Sequence, residues 1–250
     1  IESSPDQLRV LTTTIYLSSL FIVIIGLFNP TINLNSGKTI TIKGSGPPVL
    51  FSTGLFGTMP QFFYGNIINS LKHNFSIIEI NALNPIVKQD IYDIVDGLSV
   101  SSIGYISHSS FNPEVLETNK INSAVLIDPI CIPSLSPTGF NTRDIYVEYP
   151  VQIFYAEKLL DTDAHLPDWQ RPNFYGDITT EIVKDVGHPD ILDNYWADIA
   201  KRLNLWGTAE NELVDFNEWK LKKTNSIKQT RMEYRKLVAN RCIEFIGRDI

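Results

Sequence analysis

The sequence predicts a doubly wound α/β fold, in which helices cover both faces of a mostly parallel sheet. Short apolar runs without polar alternation recur along the chain, as expected of strands that are buried on both faces of such a sheet. Segments with helical periodicity lie between these runs, and strands that alternate with helices form right-handed βαβ crossovers. Hydrophobic residues make up 43% of the 250 positions, which is enough for one large core.

The first predicted element is a single membrane-spanning helix over residues 8–28. Residues 10–28 carry no charge, and their number is close to the ~20 that a bilayer-spanning helix requires. A cleaved signal peptide is disfavoured because no small-residue cleavage site follows, and a buried core helix is disfavoured because no polar face is present. Lys38 and Lys43 follow the helix and favour a globular part on the cytoplasmic, matrix or stromal side.

A β-hairpin follows, because residues 31–34 and 38–43 alternate apolar and polar side chains about Asn35-Ser36-Gly37. Buried strands are predicted at residues 49–51, 77–80, 103–106, 124–127, 151–155 and 181–183. Helical stripes are predicted at residues 62–71, 91–98 and 191–203. A short helix is expected from Asn112 to about Asn119, and residues 129–150 form a proline-rich loop that is too short for an inserted cap domain.

The predicted organisation has three parts: an N-terminal segment with the membrane helix (1–30), an α/β domain (31–205) and a basic helical extension (206–250). The net charge of −7 argues against a nucleic-acid partner for the body of the protein. The extension turns basic from Lys220, which indicates either a solvated helix face or a docking surface for anionic lipid or an acidic protein. Cys131 and Cys242 lie far apart in dissimilar contexts, which favours a reducing compartment.

Three motifs that each follow a predicted strand point to nucleophilic catalysis. They are the glycine loop Ser52-Thr53-Gly54-Leu55-Phe56-Gly57, the hydroxyl cluster Ser107-His108-Ser109-Ser110, and Val186-Gly187-His188-Pro189. Serine hydrolysis needs a backbone N–H pocket for the oxyanion, a hydroxyl at a strand end and an imidazole that takes its proton. The order along the chain supplies these three parts at one edge of a parallel sheet.

On these residues the chain resembles the α/β-hydrolase fold family over roughly residues 31–205. The stretch Gly44-Ser45-Gly46-Pro47-Pro48 is similar to the start of the family's third strand, and the glycine loop stands in the place of its oxyanion loop. The resemblance implies Ser109 as nucleophile and His188 as general base. It also implies the backbone N–H groups of Leu55 and Ser110 as oxyanion donors.

No carboxylate aligns directly with the family's acid, which orients the histidine. The family carries it just past the strand at 151–155, where Leu159 would align, so the resemblance favours Asp161 over its near neighbour Glu157. Asp163 and Asp128, at the end of the preceding strand, are further candidates.

Other positions depart from the family pattern. Ser107 and Phe111 stand where the family has the glycines of its nucleophile turn, and Thr53 replaces a histidine of the oxyanion loop. These departures, together with the unaligned acid, favour a catalytically silent accessory or assembly subunit of a membrane complex. The alternative is a serine hydrolase that acts on an ester, thioester or lipid.

Neither a cofactor nor a metal is expected. His165, Asp163 and His188 match no metal-ligand spacing. Gly44-Ser45-Gly46 precedes a strand instead of opening a helix, so it is not a phosphate-binding loop.

Overall fold

The computed structural model of the protein describes residues 31–59, 61–81, 84–131, 144–160, 171–202 and 224–248. The strands in this part of the chain are β1 (Thr31–Asn33), β2 (Thr39–Lys43), β3 (Pro48–Ser52), β4 (Ser76–Asn81), β5 (Ile103–Ser110), β6 (Ile121–Ile130), β7 (Asp144–Tyr146), β8 (Val151–Ala156), β9 (Asn173–Tyr175) and β10 (Ile178–Val183). The helices are α1 (Gly54–Gly57), α2 (Gly65–Leu71), α3 (Lys88–Leu98), α4 (Glu157–Leu160), α5 (Asn194–Arg202) and α6 (Thr224–Ile246), with 3₁₀ turns at Gln61–Tyr64, Pro113–Val115 and His188–Ile191.

The main sheet has the strand order β1-β2-β4-β3-β5-β6-β8-β10. The pairs β1–β2 and β2–β4 are antiparallel, and every later pair of neighbours is parallel. The strands β7 and β9 pair separately in parallel. The structure therefore confirms the predicted hairpin, the six predicted strands and the mostly parallel sheet. The strand predicted at 181–183 is not buried, because β10 lies at the edge of the sheet and Ile182 is exposed.

Two hydrophobic cores cover the two faces of this sheet, because successive side chains of a strand point to opposite faces. Val49 and Ile106 belong to the first core, together with side chains of α2 and α6. Leu50 and Tyr105 belong to the second core, together with side chains of α3. The three predicted helical stripes lie in α2 and the turn before it, in α3, and in α5 and the turn before it. Helices on both faces confirm the doubly wound arrangement.

The helix expected from Asn112 is shorter than predicted. The Asn112 side chain accepts a hydrogen bond from the Glu114 N–H, as an N-cap should, but only the 3₁₀ turn Pro113–Val115 follows. Residues 116–120 then lead to β6, which begins at Ile121, without a further helical turn.

One side of the C-terminal helix α6 packs into the first core. Its inner side buries Tyr234, Val238 and Ile246. Arg231 and Arg235, two of the basic residues that indicated a docking surface, are buried as well. Their hydrogen-bond partners, Asp190 for Arg231 and Asn194 for Arg235, each lie 41 residues earlier in the sequence, so a count of local charge could not reveal them.

The predicted membrane helix at 8–28 lies outside the described residues. Within the described ranges, no helix combines the length and the apolar character that a membrane span needs. Most of the proline-rich stretch at 129–150 also lies outside them; its described part contributes the end of β6 and the short strand β7.

Candidate active site

The chain turns sharply at the end of β5, and Ser109 lies in the turn. Its φ is +69°, a left-handed conformation that is uncommon for a residue with a side chain. The pairing of β5 with β6 shifts register between His108 and Ser110, so the backbone leaves the regular ladder at this point. Backbone strain of this kind costs about 1–3 kcal/mol and is typical of functional sites.

The absence of the two family glycines does not prevent this turn. Ser107 remains within β5 and is buried. Phe111 is directed into the second core, where its ring stacks on Phe174 of β9 with 6.4 Å between the ring centroids. The bulky side chain therefore lies among apolar residues, and the strained conformation is carried by Ser109 itself.

The histidine of the Gly-His-Pro motif meets this serine. His188 begins the 3₁₀ turn after β10, and its Nε2 lies 3.0 Å from the Ser109 Oγ. Its Nδ1 lies 3.2 Å from the Asp128 Oδ2. Because a carboxylate only accepts hydrogen bonds, the proton of the neutral imidazole is on Nδ1, and Nε2 presents its lone pair to the serine hydroxyl. A general base needs this tautomer.

The carboxylate that orients His188 is Asp128, where the resemblance favoured Asp161. Asp161 lies outside the described residues. Asp128 is near the end of β6, the strand next to β5, and has a φ of +48°. Its second oxygen accepts the Ala156 N–H at 2.7 Å, so the buried carboxylate is fixed from two sides. The expectation that no aligned carboxylate faces the histidine is therefore wrong.

His108, which precedes the nucleophile, connects the three segments of the site. Its Nε2 lies 3.2 Å from the His188 carbonyl oxygen, and its Nδ1 lies 2.9 Å from the Tyr64 hydroxyl. A carbonyl only accepts, so Nε2 carries the proton of His108 and the Tyr64 hydroxyl donates to Nδ1. The Tyr64 oxygen in turn accepts the Gly54 N–H at 3.0 Å. One chain of hydrogen bonds thus runs from the glycine loop to the backbone of His188.

Burial keeps this chain neutral. The pKa of His108 is well below its usual value, mainly because burial disfavours the cation and also because His188 lies against it; the bond to the His188 carbonyl offsets part of this effect. Burial also raises the pKa of Tyr64, and the Gly54 N–H lowers it only in part. The two imidazole rings stack with 4.6 Å between their centroids. A neutral His108 therefore adds no repulsion when His188 becomes a cation.

The glycine loop lies directly against the nucleophile. A Cβ atom on Gly54 would be 3.4 Å from the Ser109 Cβ and 3.2 Å from the Tyr64 hydroxyl, so a side chain at this position would crowd both. Leu55 has a φ of +54°. Thr53, which replaces the family's loop histidine, donates its hydroxyl to the Met59 carbonyl and braces the loop. The assignment of the Leu55 and Ser110 N–H groups as oxyanion donors stays a prediction.

A metal ion is the rival occupant of this site. His108, Asp128 and His188 offer ligand atoms that lie within 4.8 Å of one another. Each of these side chains already has hydrogen-bond partners that satisfy it in the absence of an ion. His165 and Asp163 lie outside the described residues.

Sequence reasoning identified Ser109 and His188, counted Asp128 as a secondary candidate and missed Tyr64. The signal for Asp128 was its place at the end of the strand that follows the nucleophile strand. No local signal marks Tyr64, whose partner His108 is 44 residues away.

The strand order, the serine in a left-handed turn after the fifth strand and the histidine after the last strand define an α/β-hydrolase fold. Similar solved structures include carboxylesterase CesB from Bacillus subtilis, with 12% identity, coverage of 76% of this chain and 96% of that chain, and a TM-score of 0.46. Naproxen esterase from Bacillus subtilis has 12% identity, 81% and 99% coverage and a TM-score of 0.45. An alpha/beta fold family hydrolase from Bacillus anthracis has 12% identity, 70% and 96% coverage and a TM-score of 0.45. No family model and no curated protein matches the sequence.

Proposed function

We propose that this protein is a serine hydrolase that cleaves carboxylic esters or thioesters through an acyl-enzyme on Ser109. The observation that carries the proposal is the continuous hydrogen-bonded series of Ser109, His188 and Asp128. The distances lie within the reach that proton transfer requires, and the nucleophile has the strained backbone that a nucleophile turn imposes.

The first half of the reaction forms the ester bond to the enzyme. The Ser109 Oγ attacks the carbonyl carbon of the substrate while His188 Nε2 accepts the hydroxyl proton. Asp128 stabilises the imidazolium that results, and the N–H groups of Leu55 and Ser110 bind the oxyanion. The tetrahedral intermediate collapses, and His188 returns the proton to the departing alcohol or thiol.

The second half releases the acid. A water molecule attacks the acyl carbon, His188 Nε2 takes one of its protons, and the new tetrahedral intermediate expels the Ser109 Oγ, which recovers its hydrogen from His188. The products are a carboxylic acid and the free serine. Apart from the substrate and this water molecule, neither step requires a group outside the chain.

The silent-subunit interpretation depended strongly on the missing acid. Asp128 now supplies that acid, so the site favours the hydrolase alternative over the accessory subunit. An acyl-lipid substrate would suit a membrane helix at 8–28, and this finer choice of substrate depends on that helix.

Labelling with a fluorophosphonate tests the proposal, because this reagent traps activated serines. We expect the full chain and Ser107→Ala to be labelled, Ser109→Ala to remain unlabelled, and His188→Ala to react far more slowly. The matched serine at 107 lies in the same strand, and its hydroxyl makes no hydrogen bond to His188. Absence of labelling in the unaltered chain, or equal labelling of Ser109→Ala, would refute the hydrolase and favour the silent subunit.

The same proteins are then assayed with p-nitrophenyl butyrate. Turnover by the full chain that both Ser109→Ala and His188→Ala abolish would support ester hydrolysis. Equal rates in all three proteins would show that this site does not hydrolyse such an ester.

A further inference from the structure

A buried ion pair connects the C-terminal helix to the turn that carries His188. Asp190 is the third residue of that 3₁₀ turn, and its Oδ2 accepts the Gly187 N–H at 2.8 Å. Its Oδ1 accepts the Arg231 Nε–H of α6 at 2.7 Å. Both side chains are buried. One carboxylate therefore joins α6 to the residue immediately before the histidine.

Three further hydrogen bonds of α6 hold the same region. Arg231 Nη1 donates to the Asp198 Oδ1 at 2.7 Å. Arg235 Nε donates to the Asp190 carbonyl at 3.2 Å, and its Nη2 donates to the Asn194 Oδ1 at 2.8 Å. The two arginines thus fix both the main chain and the side chain at position 190, together with two residues of α5.

The turn itself has little internal support. Its backbone bonds of the i to i+3 type are Asp190 N–H to Gly187 and Leu192 N–H to Pro189, each at 3.0 Å, and this geometry is weaker than that of an α-helix. A general base must be held within a few tenths of an ångström of its working position. The contacts from α6 supply a restraint that the turn lacks.

Stability alone is a poor reason for this ion pair. Burying two charges incurs a desolvation penalty, and well-packed apolar residues often replace such a pair without loss of stability. A role in positioning is better supported. One oxygen of the Asp190 carboxylate accepts a hydrogen bond from the backbone next to His188, and the other accepts one from Arg231 of α6.

We propose that Arg231 and Asp190 are positioning residues, through which the C-terminal helix holds His188 in register with Ser109. The inference rests on the proposed hydrolase function for its kinetic test. Its spectroscopic test does not require the protein to turn over a substrate. The proposal makes α6 a functional part of the site, although α6 does not include Ser109, His188 or Asp128.

The key variant is Arg231→Met, which keeps much of the apolar stem but removes the guanidinium. We expect kcat with p-nitrophenyl butyrate to fall about 10- to 100-fold while KM changes less than about threefold, because a displaced base slows proton transfer without altering ester binding. The downfield proton resonance of the His188 Nδ1–H bonded to Asp128 should weaken or shift. Arg241→Met, on the exposed part of the same helix, should change neither measurement.

Two variants separate positioning from stability. Val238→Ala removes buried volume from α6 without touching Asp190, so it should lower the unfolding midpoint but keep kcat and the resonance. The double variant Arg231→Met with Asp190→Asn leaves no unpaired buried charge. It should regain the unfolding midpoint lost in Arg231→Met, while kcat stays low because the turn is no longer tied to α6.

The outcomes are decisive in both directions. Unchanged kcat and resonance in Arg231→Met would overturn the proposal, as would an equal loss in Val238→Ala or a recovery of kcat in the double variant. If the unaltered chain neither reacts with the fluorophosphonate nor hydrolyses the ester, the hydrolase proposal fails, and the resonance in the same variants still decides whether α6 positions His188. If Arg231→Met does not fold, the double variant is compared with Val238→Ala in its place.

Discussion

At the scale of single residues, the site depends on backbone conformations that most side chains avoid. Ser109 and Asp128 both have positive φ values, and they end neighbouring strands. Aspartate tolerates this conformation better than most residues, and the Asp128 carboxylate is held in place by the Ala156 N–H of the neighbouring strand β8. The two strained positions bring a hydroxyl and a carboxylate to the same imidazole.

The first prediction concerns the orienting acid. Asp128→Asn should lower kcat about 10⁴-fold, because an amide can donate to Nδ1 and so favour the wrong tautomer of His188. Asp161→Asn tests the rival position and should leave kcat close to that of the unaltered chain. The measurement is steady-state hydrolysis of p-nitrophenyl butyrate. A large loss in Asp161→Asn together with a small loss in Asp128→Asn would return the role to Asp161.

The second prediction concerns pH and His108. Below about pH 6.5 the unfolded chain protonates this histidine, whereas the folded chain, with its lowered pKa, does not. The unfolded state then binds more protons, so the free energy of unfolding falls as the pH falls, by up to about 1.4 kcal/mol per pH unit from this group. His108→Gln keeps a donor and an acceptor but cannot titrate, so its stability should fall less steeply.

Urea unfolding of the unaltered chain and of His108→Gln between about pH 7.5 and about pH 5.5 measures how steeply each free energy of unfolding changes with pH. Titratable groups that do not contact His108 contribute equally to both curves, so the subtraction reports His108 together with its contact to His188. Parallel curves for the two proteins would show that His108 does not resist protonation in the fold.

At the scale of secondary structure, a glycine sets the distance between α6 and the central strand. A Cβ on Gly104 of β5 would lie 2.8 Å from the Ile246 Cγ2, which is closer than real contacts allow. The helix that holds His188 therefore packs against β5 at a point where no side chain intervenes. The same strand carries the nucleophile, so α6 contacts two of the segments that form the site.

The third prediction follows from this contact. Gly104→Ala should destabilise the protein by about 1–3 kcal/mol, because the added methyl group overpacks the contact with Ile246. Gly97→Ala is the matched control: it lies in α3 with open space around its Cβ, and alanine there should stabilise the helix by roughly 0.5–1 kcal/mol. Thermal unfolding of both variants measures the two opposite shifts. A stabilised Gly104→Ala would contradict the close contact.

At the scale of the whole molecule, the two cores and α6 join distant parts of the chain into one folded unit. Residues from β3 to the end of α6 share the first core, so α6 packs together with the sheet. The basic helix thereby contributes apolar side chains and buried arginines to the interior. Docking of the remaining basic residues to anionic lipid or an acidic protein stays a prediction.

The fourth prediction concerns the membrane. The apolar segment at 8–28 should keep the full chain in the pellet after carbonate extraction, because its length suits a bilayer span. A chain that starts at Asn29 is the matched control and should appear in the supernatant. Release of both chains into the supernatant would end the interpretation of this segment as an anchor.

Much of this architecture was predictable because its signals are local. Uninterrupted apolar runs revealed the buried strands, helical periodicity revealed α2, α3 and α5, and the motifs after three strands identified Ser109 and His188. The length of the Asn112 segment was mispredicted, and the burial of Arg231 and Arg235 in α6 was not foreseen, since both depend on where the following or facing elements lie.

The sequence by itself determined the order of strands and helices and the positions of Ser109 and His188 at strand ends, because side-chain periodicity and strand-end motifs depend on neighbouring residues. Only the tertiary structure decided which carboxylate orients His188, since Asp128 is 60 residues away from it and several acids compete in the sequence. The same holds for Tyr64 with His108 and for Arg231 with Asp190, which are 44 and 41 residues apart. Such pairs form only where particular strand ends and helix faces come into contact in the folded chain, and a local sequence pattern does not predict these contacts.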